Sequence, residues 1–295
     1  MEKRTLGKTD LEVTRLGFGG ARIGIEDTPH DRIEAVLDTL LDIGVTFIDT
    51  AACYDNSEEL IGRFIGGRRE EYVLASKCGH VTGEATGEPW SRETIVESID
   101  RSLVRLGTDR IDLMQLHTCS TEVLRDGEAV EAVMQAKEAG KVRYVGYSGD
   151  GEDALEAILM GVFSTLQTSF NLVDQKARAE VLPAAREAGM GGIAKRPMAN
   201  GAFGQGASPY NYADVYWDRA QQIEIPEGAP EDPFALALRF TLSHDAIDTA
   251  IVGTNNPEHM RKNIETVGEG PLDQGILESF YAQFQALGDD WEQRT

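Results

Sequence analysis

Cysteine is scarce in this sequence, which has three in 295 residues: Cys53, Cys78 and Cys119. Their number is odd and no two form a C-x-x-C pair, which argues against a disulfide framework and against a zinc ribbon. Lysine is also scarce, since only eight of the 28 basic residues are lysines, and 50 acidic residues bring the formal net charge to −22. We therefore expect free thiols and neither a nucleic-acid partner nor an anionic membrane partner.

Long apolar runs are absent as well. No stretch of 18 residues is free of charged side chains, and the first ten residues lack the apolar segment of a signal peptide. A membrane-spanning helix needs about 20 apolar residues, so we expect a cytoplasmic protein. A carboxylate-rich, lysine-poor surface is typical of proteins that work in concentrated salt, where screening removes self-repulsion; an ordinary acidic protein is the alternative.

Eight short apolar or β-branched runs alternate with amphipathic stretches such as DRIEAVLDTLLDIG. The runs span residues 15–20, 46–51, 72–79, 111–118, 142–149, 165–171, 192–198 and 249–254. Such runs are typical of parallel strands buried on both faces. The pattern predicts an α/β fold, a single (β/α)8 TIM barrel domain over residues 1–295, with an N-terminal β-hairpin around residues 8–10 and an extra C-terminal helix over 273–287.

Local signals mark two helix starts and one long loop. Thr28 before Pro29 predicts an N-cap with proline at the first helical position, and Ser91 predicts an N-cap with Trp90 and Ile95 as a hydrophobic staple. The stretch from about 199 to 231 is irregular and rich in glycine and aromatic residues. Loops of this length are usually functional, so it is either a flap over a ligand or a segment that its aromatic residues anchor to the barrel.

Polar residues follow three consecutive buried strands. Asp49 ends FIDTA, Tyr54 lies in the next loop, Lys77 ends VLASK and His117 ends DLMQLH. Taken singly, the aspartate is more often a loop anchor, the histidine a structural residue and the lysine a solvated one. Because function in a parallel barrel gathers at the C-terminal ends of the strands, we expect all four side chains at one mouth of the barrel.

The chemistry of these four residues is consistent with acid catalysis. Lys77 lies in an apolar run, and its buried ammonium needs a counter-charge, for which Asp49 is the candidate. An ammonium close to Tyr54 is expected to lower the pKa of the phenol from its reference value of about 10, which makes the tyrosine a usable general acid. His117 could orient a carbonyl group, and the attacking group would come from a cofactor.

These four residues, in the contexts FIDTAACY, VLASKCG and MQLH, resemble the catalytic tetrad of the aldo-keto reductases. The segments TLGKTDLEVTRLGFGG, SLVRLGTDRIDLMQLH and IVGTNNPEHMRKNIE are similar to landmarks of that family in the same order. The resemblance implies that Tyr54 protonates the oxygen of a small-molecule carbonyl substrate while NAD(P)H delivers hydride. It also implies that Lys77 and Asp49 tune the tyrosine and that His117 orients the substrate.

The resemblance also implies residues that hold the nicotinamide. Ser148 and Gln167 match positions that bind the carboxamide, and the loop after the seventh strand is expected to cover the pyrophosphate. Two departures concern the ring itself. Gly149 replaces a common asparagine, and Lys195 or Arg196 stands where many members stack an aromatic residue on the nicotinamide.

The phosphate and adenosine positions follow the eighth strand. Gly253, Thr254 and Asn255 open a helix whose N-terminal amides could bind phosphate, and Asn263 matches a position that contacts adenine. Some members carry a lysine in place of Gly253 and an arginine four residues before Asn263.

The residues available for the 2′-phosphate in this chain are Arg261 and Lys262. On the habit of the family we favour NADP(H), with NAD(H) as the alternative cofactor.

Two other functions compete with the reductase interpretation. One is a nicotinamide-nucleotide-binding regulatory subunit with little turnover. The other is a metal-dependent barrel hydrolase, which five histidines without an H-x-H or H-x-x-x-H pair make hard to assemble, since only His117 ends a strand. We expect no metal, and a monomer or small homo-oligomer. For the cysteines, strand alternation predicts that Cys78 points outward and that Cys119 could line the mouth, with packing favoured over a redox role.

Overall fold

The computed structural model describes residues 1–25, 27–83, 87–288 and 290–294. Eight parallel strands close into a barrel in chain order, and the last strand pairs with the first. They are β3 (Leu16–Gly19), β4 (Phe47–Asp49), β5 (Val73–Cys78), β6 (Ile111–His117), β7 (Val142–Ser148), β8 (Thr165–Ser169), β9 (Gly191–Lys195) and β10 (Thr249–Val252). The antiparallel pair β1 (Lys3–Thr5) and β2 (Glu12–Thr14) precedes them. The predicted barrel and hairpin are confirmed.

Helices surround the barrel and complete the β/α repeat. They are α1 (Ala21–Ile25), α2 (His30–Asp42), α3 (Ser57–Ile65), α4 (Arg92–Leu106), α5 (Thr121–Asp126), α6 (Glu128–Glu138), α7 (Gly151–Met160), α8 (Val181–Glu187), α9 (Asp214–Ala220), α10 (Pro233–Leu242), α11 (Pro257–Gly268) and α12 (Gln274–Leu287). The final helix α12 matches the predicted C-terminal helix. No helix within the described ranges is long and apolar enough to cross a membrane.

The two predicted helix starts have different outcomes. The Ser91 hydroxyl accepts a hydrogen bond from Thr94 N at 3.3 Å and caps α4 as predicted. The predicted Thr28 cap is wrong, because α2 begins at His30 and its N-cap position is Pro29, without a side-chain hydrogen bond. Thr28 lies two residues before the helix, and its hydroxyl instead accepts from Asn255 Nδ2 at 3.4 Å. A hydrogen bond with a residue distant in sequence therefore replaces the predicted local cap.

The hairpin closes one end of the barrel. Leu6, Leu11 and Val13 are buried in one apolar cluster with the barrel-lining residues Phe47 and Leu113. The turn residue Gly7 has a φ of +57°, and a Cβ there would lie 2.2 Å from Gly191 N at the start of β9. Because this end is filled by side chains, only the opposite end, where the strands finish, is left for a ligand.

The long stretch after β9 is only partly irregular. It contains 3₁₀ turns at Ala199–Gly201 and Asn211–Ala213, followed directly by α9. Tyr216 is buried, whereas Tyr212 is largely exposed. The hydroxyl of Tyr212 nevertheless accepts from Arg196 and that of Tyr216 donates to Asp174, so both tyrosines hold this segment against the barrel. Because α9 lies within it, the prediction of an irregular loop over 199–231 is wrong in that part.

Candidate active site

The four predicted catalytic side chains meet at the open end of the barrel. Asp49 ends β4, Lys77 lies in β5, His117 ends β6, and Tyr54 lies in the loop after β4. Lys77 Nζ is 2.6 Å from Asp49 Oδ2 and 3.4 Å from Tyr54 Oη. It also donates to the carbonyl oxygen of Thr50 at 2.9 Å. Neighbouring strands of a parallel barrel end at the same rim, which is why residues from three strands and one loop converge here.

The Asp49 carboxylate is fully engaged in the interior. While Lys77 donates to Oδ2, the amide nitrogens of Gln115 and Gln167 donate to Oδ1 at 3.1 and 3.0 Å. About 1% of each side chain of the Asp49–Lys77 pair is exposed. A buried ion pair is tolerated only where its remaining lone pairs and protons are satisfied, and the two glutamines do this for the carboxylate.

The pKa shifts of Lys77 and Tyr54 agree only in part with what the sequence predicts. Burial disfavours the Lys77 ammonium, but the charges of Asp49 and Tyr54 outweigh it, and the pKa of Lys77 is raised. Lys77 is therefore charged at neutral pH. Burial also raises the pKa of Tyr54, and the lowering effect of Lys77 does not offset it. The expected net lowering of the Tyr54 pKa is wrong here, because desolvation of the phenolate is the larger effect.

His117 is held in a neutral form by its neighbours. Burial first, and then the positive charge of Lys77, lower the pKa of its imidazole well below 6.5. Its Nδ1 lies 3.4 Å from Cys53 Sγ, and its ring stands edge-on to that of Tyr54 with centroids 6.0 Å apart. A neutral imidazole carries a single N–H, which can donate to a substrate oxygen.

The backbone at His117 is anchored by two side chains from the segment after β5. Trp90 Nε1 donates to the carbonyl oxygen of His117 at 3.1 Å, and His80 Nε2 lies at the same distance from that oxygen. The His80 ring stacks on the His117 ring, with centroids 4.6 Å apart and 10° between the planes. These contacts fix the position of the His117 backbone and of the side chain that extends from it.

Left-handed backbone conformations gather at this end of the barrel. Asp55, next to Tyr54, has a φ of 41°, Thr118, next to His117, has a φ of 52°, and Arg196, next to Lys195, has a φ of 57°. Such conformations are unfavourable for residues with a Cβ, and most of all for β-branched threonine. They persist where the surrounding structure holds them, which is characteristic of functional sites.

Two of the predicted nicotinamide contacts are bonded to each other. Ser148, at the end of β7, donates its hydroxyl to Gln167 Oε1 at 2.9 Å, and Gln167 in turn donates to Asp49. Both side chains are buried. The pair therefore connects the predicted carboxamide position to the Asp49 carboxylate through one chain of hydrogen bonds.

Lys195 and Arg196 lie at the end of β9 but point to different partners. Lys195 Nζ forms an ion pair with Asp150 Oδ2 at 2.7 Å. Arg196 Nη1 donates to Ser169 Oγ at 2.7 Å and to the carbonyl oxygen of Arg294 at 2.6 Å. Residues 290–294 after α12 thus reach back to the mouth and contact the ends of β8 and β9.

The predicted phosphate residues lie between β10 and the first turns of α11. Thr254 is buried, and its hydroxyl accepts from the amide of Asn256, which caps α11. Arg261 is half-exposed near Glu258, at 3.5 Å, and Lys262 forms an ion pair with Asp232. The remaining residues of this group are Gly253 and Asn255, next to Thr254, and the buried Asn263 of α11.

The donor chemistry around the mouth fits an anionic dinucleotide. Asn200 Nδ2 is buried without a hydrogen-bond partner among the described residues. It lies in the 3₁₀ turn that follows Arg196, and Arg261 and Lys262 supply further positive charge from α11. Guanidinium, ammonium and amide groups are donors that bind phosphate and carboxamide oxygens. The residues present therefore suit a nicotinamide nucleotide.

Sequence reasoning missed several residues of this site. Gln115 was visible as a polar residue inside the apolar run IDLMQLH, and Asp150 follows the β7 serine by two positions. His80 lies two residues past β5, outside the strand-end criterion that found His117. Cys119 is buried, and its pKa is raised to about 12 by burial, so it does not line the mouth as predicted.

Comparison with known proteins supports the barrel fold and identifies the family. A family model described as the aldo/keto reductase family matches residues 15–282. The chain is 31% identical over 323 residues to the uncharacterized oxidoreductase YrpG of Bacillus subtilis (strain 168), with 98% of each chain covered. It is 26% identical over 304 residues to the NADH-specific methylglyoxal reductase of Escherichia coli (strain K12), covering 90% of this chain and 93% of that one. An aldo-keto reductase from Bacillus halodurans, solved in its holo form, superposes with a TM-score of 0.82, 28% identity and 96% coverage of both chains.

Proposed function

We propose that this chain, which belongs to the aldo/keto reductase family, reduces aldehydes or ketones to alcohols with NAD(P)H as hydride donor. The observation that carries the proposal is the contact of a buried, charged Lys77 with both Asp49, at 2.6 Å, and Tyr54, at 3.4 Å. A phenol beside an ammonium group can give up its proton where the ammonium stabilises the resulting phenolate.

The proton path follows from these contacts. When bound, the nicotinamide nucleotide supplies a hydride to the carbonyl carbon. Tyr54 donates its phenolic proton to the carbonyl oxygen, so that the product is an alcohol and the tyrosine is left as a phenolate. The positive charge of Lys77 stabilises that phenolate. Asp49 in turn keeps Lys77 charged and in place inside the barrel.

His117 and its neighbours position the substrate. The neutral imidazole donates a hydrogen bond to the carbonyl oxygen and does not compete with Tyr54 as an acid. Because His80 stacks on the His117 ring and Trp90 binds the His117 carbonyl oxygen, the donor is preorganised. The carbonyl oxygen would thus meet two donors, Tyr54 from the loop after β4 and His117 from the end of β6.

The cofactor would be held by the residues at the ends of β7 to β10. Ser148 and Gln167 would bind the carboxamide, and Lys195 and Arg196 would lie near the nicotinamide and pyrophosphate. The segment between β10 and α11, with Gly253, Thr254 and Asn255, would take the adenosine phosphate, and Asn263 of α11 would contact the adenine. We propose NADP(H), with Arg261 and Lys262 at the 2′-phosphate; NAD(H) is the alternative, and one relative is named as NADH-specific.

The test is a fluorescence titration of the purified protein with NADPH and with NADH, in low and in multi-molar salt, followed by a panel of aldehydes. We expect one nucleotide to bind tightly and to be oxidised only when aldehyde is present. Tyr54→Phe should bind the nucleotide equally well and lose turnover by about 100-fold or more, since general acid catalysis contributes about 10²–10⁴.

Tyr72→Phe is the matched control, because the Tyr72 hydroxyl is bonded to Ile65 O near the start of β5, at the closed end of the barrel. Failure of both nucleotides to bind in any salt would contradict the proposal. Tight binding with no turnover on any aldehyde would instead favour a nucleotide-binding regulatory subunit.

A further inference from the structure

Three potential metal ligands lie together beside Tyr54. Cys53, His80 and His117 each offer one ligand atom such that all three atoms lie within 4.8 Å of one another. Thiolate sulfur and imidazole nitrogen are the ligands that Zn²⁺ prefers in proteins. The proposed reduction places His117 at the substrate and His80 behind it as support, and it assigns no role to Cys53.

The spacing of the first two ligands suits a tetrahedral ion. Cys53 Sγ and His117 Nδ1 are 3.4 Å apart. Zinc bonds of about 2.3 Å to sulfur and about 2.0–2.1 Å to nitrogen, at a tetrahedral angle, place the two ligand atoms about 3.5 Å apart. The pair therefore has the separation of two ligands on one ion before any ion is bound.

His80 can complete the site after a ring rotation. Its ring lies parallel to that of His117, and two stacked rings cannot each direct a nitrogen lone pair at one ion. Rotation breaks the contacts of His80 Nε2 with His117 O and Thr118 Oγ1, at 3.1 and 3.2 Å. Cys53, His80 and His117 are all only partly buried, so an ion and its remaining water ligand can reach them from the barrel mouth.

The charged groups around the three ligands limit the affinity of the site for a cation. Lys77 and Lys195 are positive groups near His117. Each is paired with a carboxylate, Lys77 with Asp49 and Lys195 with Asp150, and the Cys53 thiolate adds a further negative charge at the ion itself. We therefore expect binding in the micromolar range, weaker than that of a closed structural zinc site with four protein ligands.

We propose that Cys53, His117 and His80 bind a thiophilic divalent cation, with Zn²⁺ as the best-fitting ion, and that this ion reversibly inhibits the enzyme. Binding releases the Cys53 thiol proton to solvent and uses the Nδ1 lone pair of His117. The inhibitory part rests on the proposed reductase function, because the ion would engage His117, the residue proposed to orient the carbonyl oxygen.

The binding test uses nucleotide-free protein without a histidine tag, titrated with Co²⁺. A cobalt–thiolate bond gives a charge-transfer absorption in the near ultraviolet. We expect one Co²⁺ per chain, no band in Cys53→Ser, and severalfold weaker binding in His80→Asn, whose amide can still bond to the His117 carbonyl. Cys119→Ala is the control, because that buried thiol is outside the cluster and its loss should leave the band intact.

The activity test compares each variant with its own metal-free rate. Zn²⁺ should displace Co²⁺, and it should inhibit aldehyde-dependent oxidation of the nucleotide competitively with the aldehyde and reversibly with EDTA. Cys53→Ser should need at least severalfold more Zn²⁺ for the same fractional inhibition.

A wild-type protein without a charge-transfer band, or a band that persists in Cys53→Ser, would overturn the metal site. Equal zinc sensitivity of wild type and Cys53→Ser would overturn the inhibition. The reductase proposal fails separately, if metal-free protein oxidises no nucleotide, because the cobalt titration requires no turnover.

Discussion

The Asp49–Lys77 pair lies at the centre of the barrel mouth, with about 1% of either side chain exposed. Its stability depends on both members. The ammonium has Asp49, Thr50 O and Tyr54 as partners, so removal of the carboxylate leaves a positive charge that water cannot reach. Breaking a buried pair is much more costly than replacing both partners with apolar groups of similar size.

We predict that Asp49→Asn lowers the free energy of unfolding by about 3–5 kcal/mol, because it leaves the Lys77 charge uncompensated. The double variant Asp49→Asn/Lys77→Met should recover most of this loss and still have no reductase activity. Urea unfolding gives the stabilities. Asp10→Asn is the control, since the Asp10–Arg143 pair is exposed and its loss should cost less than about 1 kcal/mol. A double variant as unstable as Asp49→Asn would contradict this account.

Asp174 is a second buried carboxylate with a different effect. It accepts from Tyr216 Oη at 2.8 Å and from the amide of Arg294 at 3.1 Å, and so ties α9 and the C-terminal residues to the barrel. Burial raises the pKa of Asp174 to about 6. Since the folded pKa is above the usual unfolded value of about 3.9, the folded state holds more protons between these values.

We predict that this group destabilises the protein as the pH rises from about 4 to about 6, by about 3 kcal/mol at most. Asp174→Asn should remove that part of the pH dependence, because its amide oxygen can still accept from Tyr216 and Arg294 and it does not ionise. The measurement is the difference in unfolding free energy between the two pH values, compared between wild type and variant. Identical differences in the two proteins would mean that Asp174 does not titrate in this range.

At the scale of elements, α11 is the segment on which we propose that nucleotide preference depends. It begins at Pro257 with Asn256 as its N-cap, and it carries Arg261 and Lys262 on its exposed side. Both cations lie near carboxylates, Glu258 and Asp232, which a bound phosphate would have to replace as partners. NADH carries a 2′-hydroxyl in place of the 2′-phosphate, so its binding does not require the two cations to leave these carboxylates.

We predict that Arg261→Ala/Lys262→Ala lowers kcat/KM with NADPH about tenfold or more and changes that with NADH little. A charge-assisted hydrogen bond contributes about 1.5–3 kcal/mol, and 1.4 kcal/mol corresponds to about tenfold. Arg110→Ala is the matched control, a cation paired with Glu70 at the closed end of the barrel. Equal losses with both nucleotides would place the 2′-phosphate elsewhere.

At the scale of the whole molecule, the dominant property is the net charge of −22. Like charges distributed over one compact body repel each other, and salt screens this repulsion. The cationic groups Lys77, Lys195 and Arg196 at the barrel mouth stand out against this background, and they face the place proposed for an anionic cofactor.

We predict that added KCl raises the free energy of unfolding, with most of the rise complete by about 1 M, because the Debye length has then fallen to about 3 Å. Thermal or urea unfolding over a series of salt concentrations measures it. A rise that continues in proportion to salt up to several molar would point to strengthened apolar burial instead of screening. No rise at all would show that self-repulsion does not limit the stability of this protein.

Several features of this protein could be predicted from its sequence because their causes are local. Each of the eight apolar runs overlaps a barrel strand, since a strand buried on both faces must be apolar along its whole length. The runs ended up to three residues too late, as at β9, because apolar residues such as Pro197 and Met198 can continue past the end of a strand. The same local logic failed at Thr28, where a contact with Asn255 replaced the predicted cap.

The four catalytic candidates were also accessible from sequence, since each is a polar residue at or just after a buried strand and barrel closure brings such residues to one rim. Only the tertiary structure decided what surrounds them. The glutamines on Asp49, the pKa direction of Tyr54 and the meeting of Cys53, His80 and His117 all depend on approaches between distant segments. Desolvation and the spacing of ligand atoms depend on how distant segments pack together, which no single stretch of sequence specifies.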